Sequence, residues 1–207
     1  MKRILLIFLA IAAASQLVAA QKSGTAGKSA NAAAAAVKWN KVTPQKWGVE
    51  SLDVPDNLVA KPDEISSSSY TAIWAPNRKK SGPKITEVNL NVTTWDMPFE
   101  KIDPDLKPEL ATPENFIALD AMANLRAKKE KPSQVLEAGY YEIDGVKGSY
   151  TALKYPNVKP QLILGWITFR LYKGKPQRIT FQITAGLTER EAAVRILDSL
   201  RLEKPSN

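Results

Sequence analysis

Any chemistry in this chain has to come from carboxylates, hydroxyls and cationic side chains. The 207 residues include no histidine and no cysteine, which removes the commonest general base, the commonest metal ligand and every thiolate. Serine–histidine, cysteine–histidine and histidine–zinc sites are therefore excluded, as are disulfides and a lipid attached to cysteine. A carboxylate pair, a serine–lysine arrangement and a cation held by oxygen atoms stay open.

An acidic segment, residues 95–112, is the first candidate site. Asp96, Glu100, Asp103 and Asp105 offer the oxygen atoms that hard cations such as Ca²⁺ prefer. The regular calcium loop also needs alternating acids, a glycine at its turn and a distal glutamate, and this segment lacks that pattern. We therefore expect a binding loop or a cover for a sheet edge, and a metal site would have to use Asp96, Asp103 and Asp105.

A pair of arginines is the second candidate. Arg170 and Arg178 flank the turn at residues 173–176, and Trp166 shares a face with Arg170. If both flanking strands bury their odd-numbered residues, a three-residue loop sets Arg170 opposite Arg178, and a five-residue loop sets it opposite Thr180. Like charges in opposition are costly unless an anion or acidic partner offsets them. The alternatives are a binding site of Arg170, Arg178 and Trp166, or a surface pair already balanced by a helix carboxylate.

The strands that position these residues are predicted from apolar residues at every second position. In residues 178–184 the odd positions are apolar, and in residues 84–94 the even ones are. For residues 162–172 we assign the core face to Ile163, Ile167, Phe169 and Leu171. Asp144-Gly145 is the strongest hairpin signal, and shorter candidates cover residues 48–54 and 70–75. Six or seven mostly antiparallel strands result.

Two amphipathic helices complete the predicted domain. The first begins at Thr112-Pro113-Glu114, where a cap, a proline and an acid favour a helix start, and it ends before Pro132. The second begins at a capping box, Thr188-Glu189-Arg190-Glu191, and its buried residues are Ala192, Ala193, Ile196, Leu197 and Leu200. Two such helices with an antiparallel sheet predict an α+β layered fold.

The C-terminal half carries a distinctive series of segments. YYEIDGVKG at residues 140–148 is followed by GWIT at 165–168 and by ILDSLRLEKP at 196–205. This series resembles the PsbP-like proteins and their bacterial envelope relatives of the DcrB type, and residues 49–55 are similar to the strand that opens that fold. The resemblance implies an α/β/α sandwich around a central six- to seven-stranded sheet, and a protein that binds rather than catalyses, without a cofactor. It transfers no functional residue.

The first 36 residues predict export. Lys2 and Arg3, the apolar run 4–14 and the small residues 18–20 are the three parts of a cleaved signal peptide, residues 1–20. Residues 21–36 are small and polar, as in a flexible linker, and residues 37–207 have the length of a single PsbP-like domain. We therefore expect a periplasmic or secreted protein without a lipid anchor and without a transmembrane segment after cleavage.

The overall charge bears on the partner. The formal net charge of +8, from 29 basic and 21 acidic residues, favours acidic partners but is also an ordinary solubility charge. No sequence motif points to nucleic acid. We therefore expect a non-catalytic accessory or binding protein of the cell envelope whose partner is a protein or an anionic polymer. Two alternatives are a carrier of a small apolar or anionic ligand and a histidine-free hydrolase that uses the carboxylates of residues 95–112.

Overall fold

Antiparallel strands form most of the described chain. The structure is a computed structural model that describes residues 37–44, 47–102, 112–115, 117, 134–155 and 161–204, all within a unit that covers Ala36–Asn207. The predicted signal peptide and linker lie outside the described residues, and so do Asp103 and Asp105. No helix in the described part has the length and apolar composition needed to cross a membrane.

The described residues form eleven strands in two sheets, and every paired strand is antiparallel. The strands are β1 (Trp39–Val42), β2 (Val49–Pro55), β3 (Leu58–Ala60), β4 (Glu64–Ile65), β5 (Ser69–Pro76), β6 (Ile85–Thr94), β7 (Gln134–Ile143), β8 (Val146–Lys154), β9 (Leu162–Tyr172), β10 (Lys175–Ala185) and β11 (Arg201–Leu202). The small sheet has the order β1-β2-β11, and the large sheet has the order β3-β5-β6-β10-β9-β8-β7, with β4 paired to β5.

The mostly antiparallel sheet is confirmed, but it has more strands than the six or seven predicted. The additional ones, β1, β3, β4 and β11, have four residues or fewer. Alternation over so few residues gives no usable signal. The apolar faces predicted for β6 and β10 are correct, because Val88, Leu90, Val92, Ile179, Phe181 and Ile183 are all buried.

One α-helix, α1 (Arg190–Asp198), contacts β2 of the small sheet and β9 and β10 of the large sheet. It buries Ala193, Ile196 and Leu197, as its apolar spacing predicts. The predicted capping box is wrong. A 3-10 turn, Leu187–Glu189, precedes the helix, and its N-cap residue Glu189 makes no side-chain capping bond.

The other predicted helix is described only at its beginning. Residues 113–115 and 117 are helical, and the backbone N–H of Asn115 donates to Oγ1 of Thr112 at 3.3 Å. This is the bond expected of a threonine N-cap. The remainder of the predicted helix lies outside the described residues, so the second helical layer of an α/β/α sandwich stays a prediction.

The turn between β9 and β10 differs from both predicted loops. It has two residues, Lys173 and Gly174, with φ of 50° and 74°, and Tyr172 pairs directly with Lys175. Positive φ at both positions is typical of a tight hairpin turn whose twist matches that of the strands. The even residues of β9 therefore share a face with the odd residues of β10. Our assignment of the odd residues of β9 to the core face is wrong.

Candidate functional site

Arg170 lies between the two sheets and donates three hydrogen bonds to acceptors within the protein. Its side chain is almost buried, at 9% exposure. Its Nε donates to Oε1 of Gln177 at 2.8 Å, Nη1 donates to the Glu203 carbonyl at 3.0 Å and Nη2 donates to the Gly48 carbonyl at 2.6 Å. Burial lowers the pKa of the guanidinium, although arginine stays charged at neutral pH. Arg170 therefore joins the small sheet to the large one.

The side chains of Arg170 and Gln177 together hold the turn that precedes β2. Trp47 and Gly48 have φ of 75° and 81°, and this conformation is costly for a tryptophan. The side-chain Nε2 of Gln177 donates to the Trp47 carbonyl at 2.9 Å, next to the bond from Arg170 to Gly48. Both carbonyls of the turn are thus fixed by buried donors from the large sheet.

Arg178 lies on the opposite face of the large sheet from Arg170. The register pairs Arg178 with Phe169 and pairs Arg170 with Gln177, so the predicted site of two arginines on one face is wrong. The physical reason is the two-residue turn, which shifts the register by one residue from the predicted loops. Arg178 instead donates weakly to Oγ1 of Thr93, at 3.4 Å, and lies 5.9 Å from the centre of the Trp95 ring.

The guanidinium of Arg178 is incompletely satisfied within the described residues. Its Nε is buried without a hydrogen-bond partner, and no carboxylate there forms an ion pair with it. Burial lowers its pKa. Arg178 is therefore a half-buried cation on the outer sheet face, whereas Arg170 is an interior cation whose three nitrogen atoms each donate a hydrogen bond.

Trp166 is on the same face as Arg170, as predicted, but it belongs to the core. It is 1% exposed, and its indole N–H donates to the Tyr141 carbonyl at 3.0 Å. A Cβ on Gly148 would overlap the indole ring, so the ring occupies space that only a glycine leaves. A role for Trp166 in contacting a ligand would require this part of the core to open.

The acidic segment is only partly described. Asp96 is 82% exposed and forms an ion pair with Lys175, and Glu100 is exposed in a 3-10 turn, Phe99–Lys101. Among the described residues no three potential metal ligands come together. The metal site of Asp96, Asp103 and Asp105 stays an untested prediction.

A cleft of about 850 Å³ lies between α1 and the β7–β8 hairpin. It is open to solvent and combines two tyrosine rings with charged residues. The ring centres of Tyr141 and Tyr150 are 5.9 Å apart, and the rings are inclined at 41°. Arg190 forms an ion pair with Glu137. The lining residues are Glu137, Tyr141, Tyr150, Thr188, Arg190, Glu191, Val194, Arg195, Leu197 and Asp198.

Both tyrosine hydroxyls of the cleft are held in the neutral form. Tyr141 donates a hydrogen bond to Asp198, and this bond, with burial as a smaller cause, raises the pKa of Tyr141 to about 12. Burial, followed by the charge of Glu137, raises the pKa of Tyr150. The cleft therefore presents protonated phenols that donate hydrogen bonds, and neither phenol serves as a base near neutral pH.

The cleft runs beside an unpaired sheet edge. β7 is the last strand of the large sheet, and no described strand pairs with its outer side. Glu137 and Tyr141 lie on β7 and also line the cleft. β7 pairs with β8 through a two-residue turn, Asp144 and Gly145, so the even residues near that turn direct their backbone groups outward. A second chain could reach this edge and the cleft together.

Sequence reasoning missed Tyr141 and Tyr150, although a signal for them exists. The Asp144-Gly145 turn was predicted correctly, and a two-residue turn sets Tyr141 opposite Gly148 and Tyr150 opposite Gly139. The two rings therefore fall on the same face of the hairpin. Counting the residue pairs of β7 and β8 outward from this turn predicts that the rings of Tyr141 and Tyr150 are neighbours.

No family model matches the chain, and no curated protein matches it. Several solved structures are similar to it, and three of them follow. Cyanobacterial PsbP of Synechocystis has 14% identity and a TM-score of 0.47 over 86% of this chain and 98% of that chain. LpqN of Mycobacterium tuberculosis, involved in cell envelope biogenesis, has 14% identity and a TM-score of 0.43 over 82% and 92%. The Ran-binding protein Mog1p of Saccharomyces cerevisiae has 9% identity and a TM-score of 0.40 over 80% and 96%.

These similarities are distant. All three identities are below 15% and all three TM-scores are below 0.5, so we draw no function from them. Membership of the PsbP-like family, and its DcrB-type branch in particular, stays a prediction from the sequence.

Proposed function

We propose that this chain is an exported, non-catalytic binding protein of the cell envelope, and that it binds an extended segment of a partner protein. The carrying observation is the position of the cleft beside the outer edge of β7, with which no strand in the described part of the chain pairs. A segment added to this edge forms main-chain hydrogen bonds with β7 and directs alternate side chains toward the cleft.

The charges of the cleft favour a protein segment over an anionic polymer. Three carboxylates and two guanidinium groups line it: Glu137, Glu191, Asp198, Arg190 and Arg195. An anionic polymer needs an excess of cations, which this cleft does not have. Mixed charges beside two tyrosine rings suit the varied side chains of a polypeptide, because aromatic rings supply contact area and a polar handle.

The groups of the cleft also favour binding over catalysis. Glu137 is engaged by Arg190 and Asp198 accepts the bond from Tyr141, so two of the three carboxylates already have a donor. The hydrolase alternative required acids of residues 95–112 in a cleft. The two that are described, Asp96 and Glu100, line an open groove at the turn between β9 and β10, but both are exposed there and Asp96 is engaged by Lys175. The carrier alternative required an enclosed pocket, whereas this cleft is open.

Peptide display tests the proposal. Random linear peptides displayed on phage are selected on the immobilised protein, and the enriched peptides are synthesised and titrated against two variants. Ala138→Pro removes an outward backbone N–H from the edge of β7, and Ser67→Pro places the same change in an exposed loop far along the chain. We expect selected peptides to lose at least tenfold in affinity with Ala138→Pro and to keep it with Ser67→Pro.

The folding of each variant is checked by circular dichroism and urea unfolding before titration. If no peptide is enriched, or if the enriched peptides bind Ala138→Pro as tightly as the unchanged protein, the edge of β7 is not the binding site.

A further inference from the structure

The loop between β5 and β6 concentrates positive charge beside a groove. We name residues 77–84 the basic loop, and their sequence is NRKKSGPK. The groove has a volume of about 440 Å³, and Arg78, Lys80 and Lys84 line it together with no carboxylate. Lys79 is exposed next to them. Because the groove shares no lining residue with the cleft beside β7, it is a separate candidate site.

Hydrogen bonds fix both ends of the basic loop to one residue, Asn57. The backbone N–H of Asn77 donates to the Asn57 carbonyl at 2.7 Å, and Nδ2 of Asn57 donates to the Pro83 carbonyl at 3.0 Å. Asn57 is 5% exposed, and Gly82 packs so closely on it that an added Cβ would overlap its side chain. The cations are thus placed by a hydrogen-bonded loop, and such preorganisation lowers the entropic cost of binding.

Two carboxylates lie beside the basic loop and offset part of its charge. Asp56 forms an ion pair with Lys80 at 3.3 Å. Glu189 lies near Lys84, since both side chains approach the backbone of Gly186. Four cations against these two carboxylates leave a positive balance. A groove lined by charges of one sign strengthens the local field and attracts ions of the opposite sign.

Arg78 and Lys79 are the two cations that stay available to a ligand. Both are exposed, and neither forms an ion pair with a carboxylate in the described part of the chain. They are neighbours in the sequence, so their like charges repel each other until an anion lies between them. The guanidinium of Arg78 also offers a fork of donors that matches a carboxylate or a phosphate.

The remaining groups of the groove favour a polysaccharide over a lipid surface or a protein. None of the lining residues is an exposed large apolar side chain. Stable attachment to a bilayer needs an apolar contribution besides the cations, and protein interfaces are anchored by buried aromatic and apolar groups. Ser81 and Thr86 are exposed at the groove instead, and their hydroxyl groups exchange hydrogen bonds with the hydroxyl groups of sugars.

We infer that the basic loop binds an anionic polysaccharide. The carboxylate or phosphate groups of the polymer contact Arg78 and Lys79, and its hydroxyl groups contact Ser81 and Thr86. This site and the cleft beside β7 are used independently, so one molecule of the protein holds a polysaccharide and a protein segment at once.

Titration of the purified full chain with defined polymers tests this inference. Two anionic polysaccharides are used, alginate with carboxylates and phosphomannan with phosphates. Dextran serves as an uncharged polysaccharide, and polyacrylate serves as a polyanion without sugar. At one fixed salt concentration, we expect at least one anionic polysaccharide to bind at least threefold more tightly than polyacrylate, and dextran not to bind.

A double variant and a matched control locate the binding site. Arg78→Gln with Lys79→Gln should lower the affinity for the polysaccharide at least tenfold, since two charge-assisted contacts are lost. Lys101→Gln with Lys173→Gln removes two exposed lysines near the turn between β9 and β10, which lies at the other end of β6. Both double variants have the same net charge, and the control should leave the affinity unchanged.

A third variant separates the shape of the loop from its charge. Gly82→Ala keeps every cation but forces the loop away from Asn57, and we expect a loss of about threefold in affinity. Circular dichroism checks that each variant is folded, and if Gly82→Ala does not fold, the two double variants decide.

Equal losses in the two double variants would overturn the inference, and so would polyacrylate binding as tightly as both polysaccharides. Full affinity in a folded Gly82→Ala would show that the charges act without a formed site. Binding to phosphatidylglycerol vesicles or to an acidic protein, with neither polysaccharide bound, would assign the basic loop to a different partner and would also overturn the inference.

Discussion

Arg170 and Gln177 face each other across β9 and β10, and Nε of Arg170 donates to Oε1 of Gln177 at 2.8 Å. Each also donates to one carbonyl of the turn at Trp47 and Gly48. The pair therefore connects the large sheet to the start of β2 and fixes a turn whose φ angles are positive. Two polar side chains in the interior thus determine how the small sheet attaches.

The two arginines that the sequence suggested as one site should respond differently to substitution. Arg170→Met removes three hydrogen bonds, including those to the Glu203 carbonyl and to Oε1 of Gln177, and we expect it to lower the free energy of unfolding by roughly 3 kcal/mol. Arg178→Met removes a half-buried charge that has a single weak hydrogen bond, and we expect a loss below about 1 kcal/mol or a gain. Urea unfolding at neutral pH measures both. Equal losses would contradict the assignment of the two roles.

A methyl group at Gly48 should be far more costly than one at another glycine with positive φ. At Gly48 an added Cβ would overlap Nη2 of Arg170, whereas at Gly174 it would meet open space. Gly174→Ala should therefore cost only about 1 kcal/mol for its backbone conformation. Gly48→Ala adds the displaced guanidinium, and we expect a cost of about 3 kcal/mol. Thermal unfolding of the two variants, compared with the unchanged protein, measures the difference.

The hydrogen bond between Tyr141 and Asp198 should make stability fall at alkaline pH. The hydrogen bond to Asp198, with burial as a smaller cause, raises the pKa of Tyr141 from its ordinary value of 10.0 to about 12 in the folded protein, so the neutral form is favoured by folding. Its stabilising contribution is complete below about pH 10 and is lost as the pH rises toward 12. Tyr141→Phe removes the hydroxyl and should reduce this part of the decline, as measured by urea unfolding between pH 8 and pH 11. An unchanged decline would show that the bond contributes nothing.

Much of the fold follows from local patterns. The strands β6 and β10, the Asp144-Gly145 hairpin and the apolar face of α1 were predicted because each is encoded within about ten neighbouring residues. The face of β9 was not, because apolar residues occupy both of its sides: Leu162, Leu164 and Trp166 face the core, while Ile163, Ile167 and Phe169 face outward. Alternation of apolar and polar residues cannot show which face of such a strand is buried. The length of the turn, which sets the register with the next strand, determines the buried face instead.

The candidate site depended on long-range contacts. Glu137 and Arg190 are 53 residues apart, and Tyr141 and Asp198 are 57 residues apart. The local sequence patterns of α1 and of the β7–β8 hairpin do not predict these two contacts. Arg170 and Arg178 were predicted to form one site because they are close in sequence. The two-residue turn shifts the pairing of β9 with β10 by one residue from the predicted loops, and this shift places the two side chains on opposite faces of the large sheet.

Hydrogen exchange of the amides of β7 tests the central proposal most directly. In the protein alone, the backbone N–H groups of Ala138, Tyr140 and Glu142 point outward and should exchange quickly, whereas those of Gly139 and Tyr141 bond to β8 and should exchange slowly. Addition of a selected peptide should slow the first three amides at least tenfold and leave the other two unchanged. The contradicting result is a peptide that binds without slowing them, which would show that β7 is not the edge it joins.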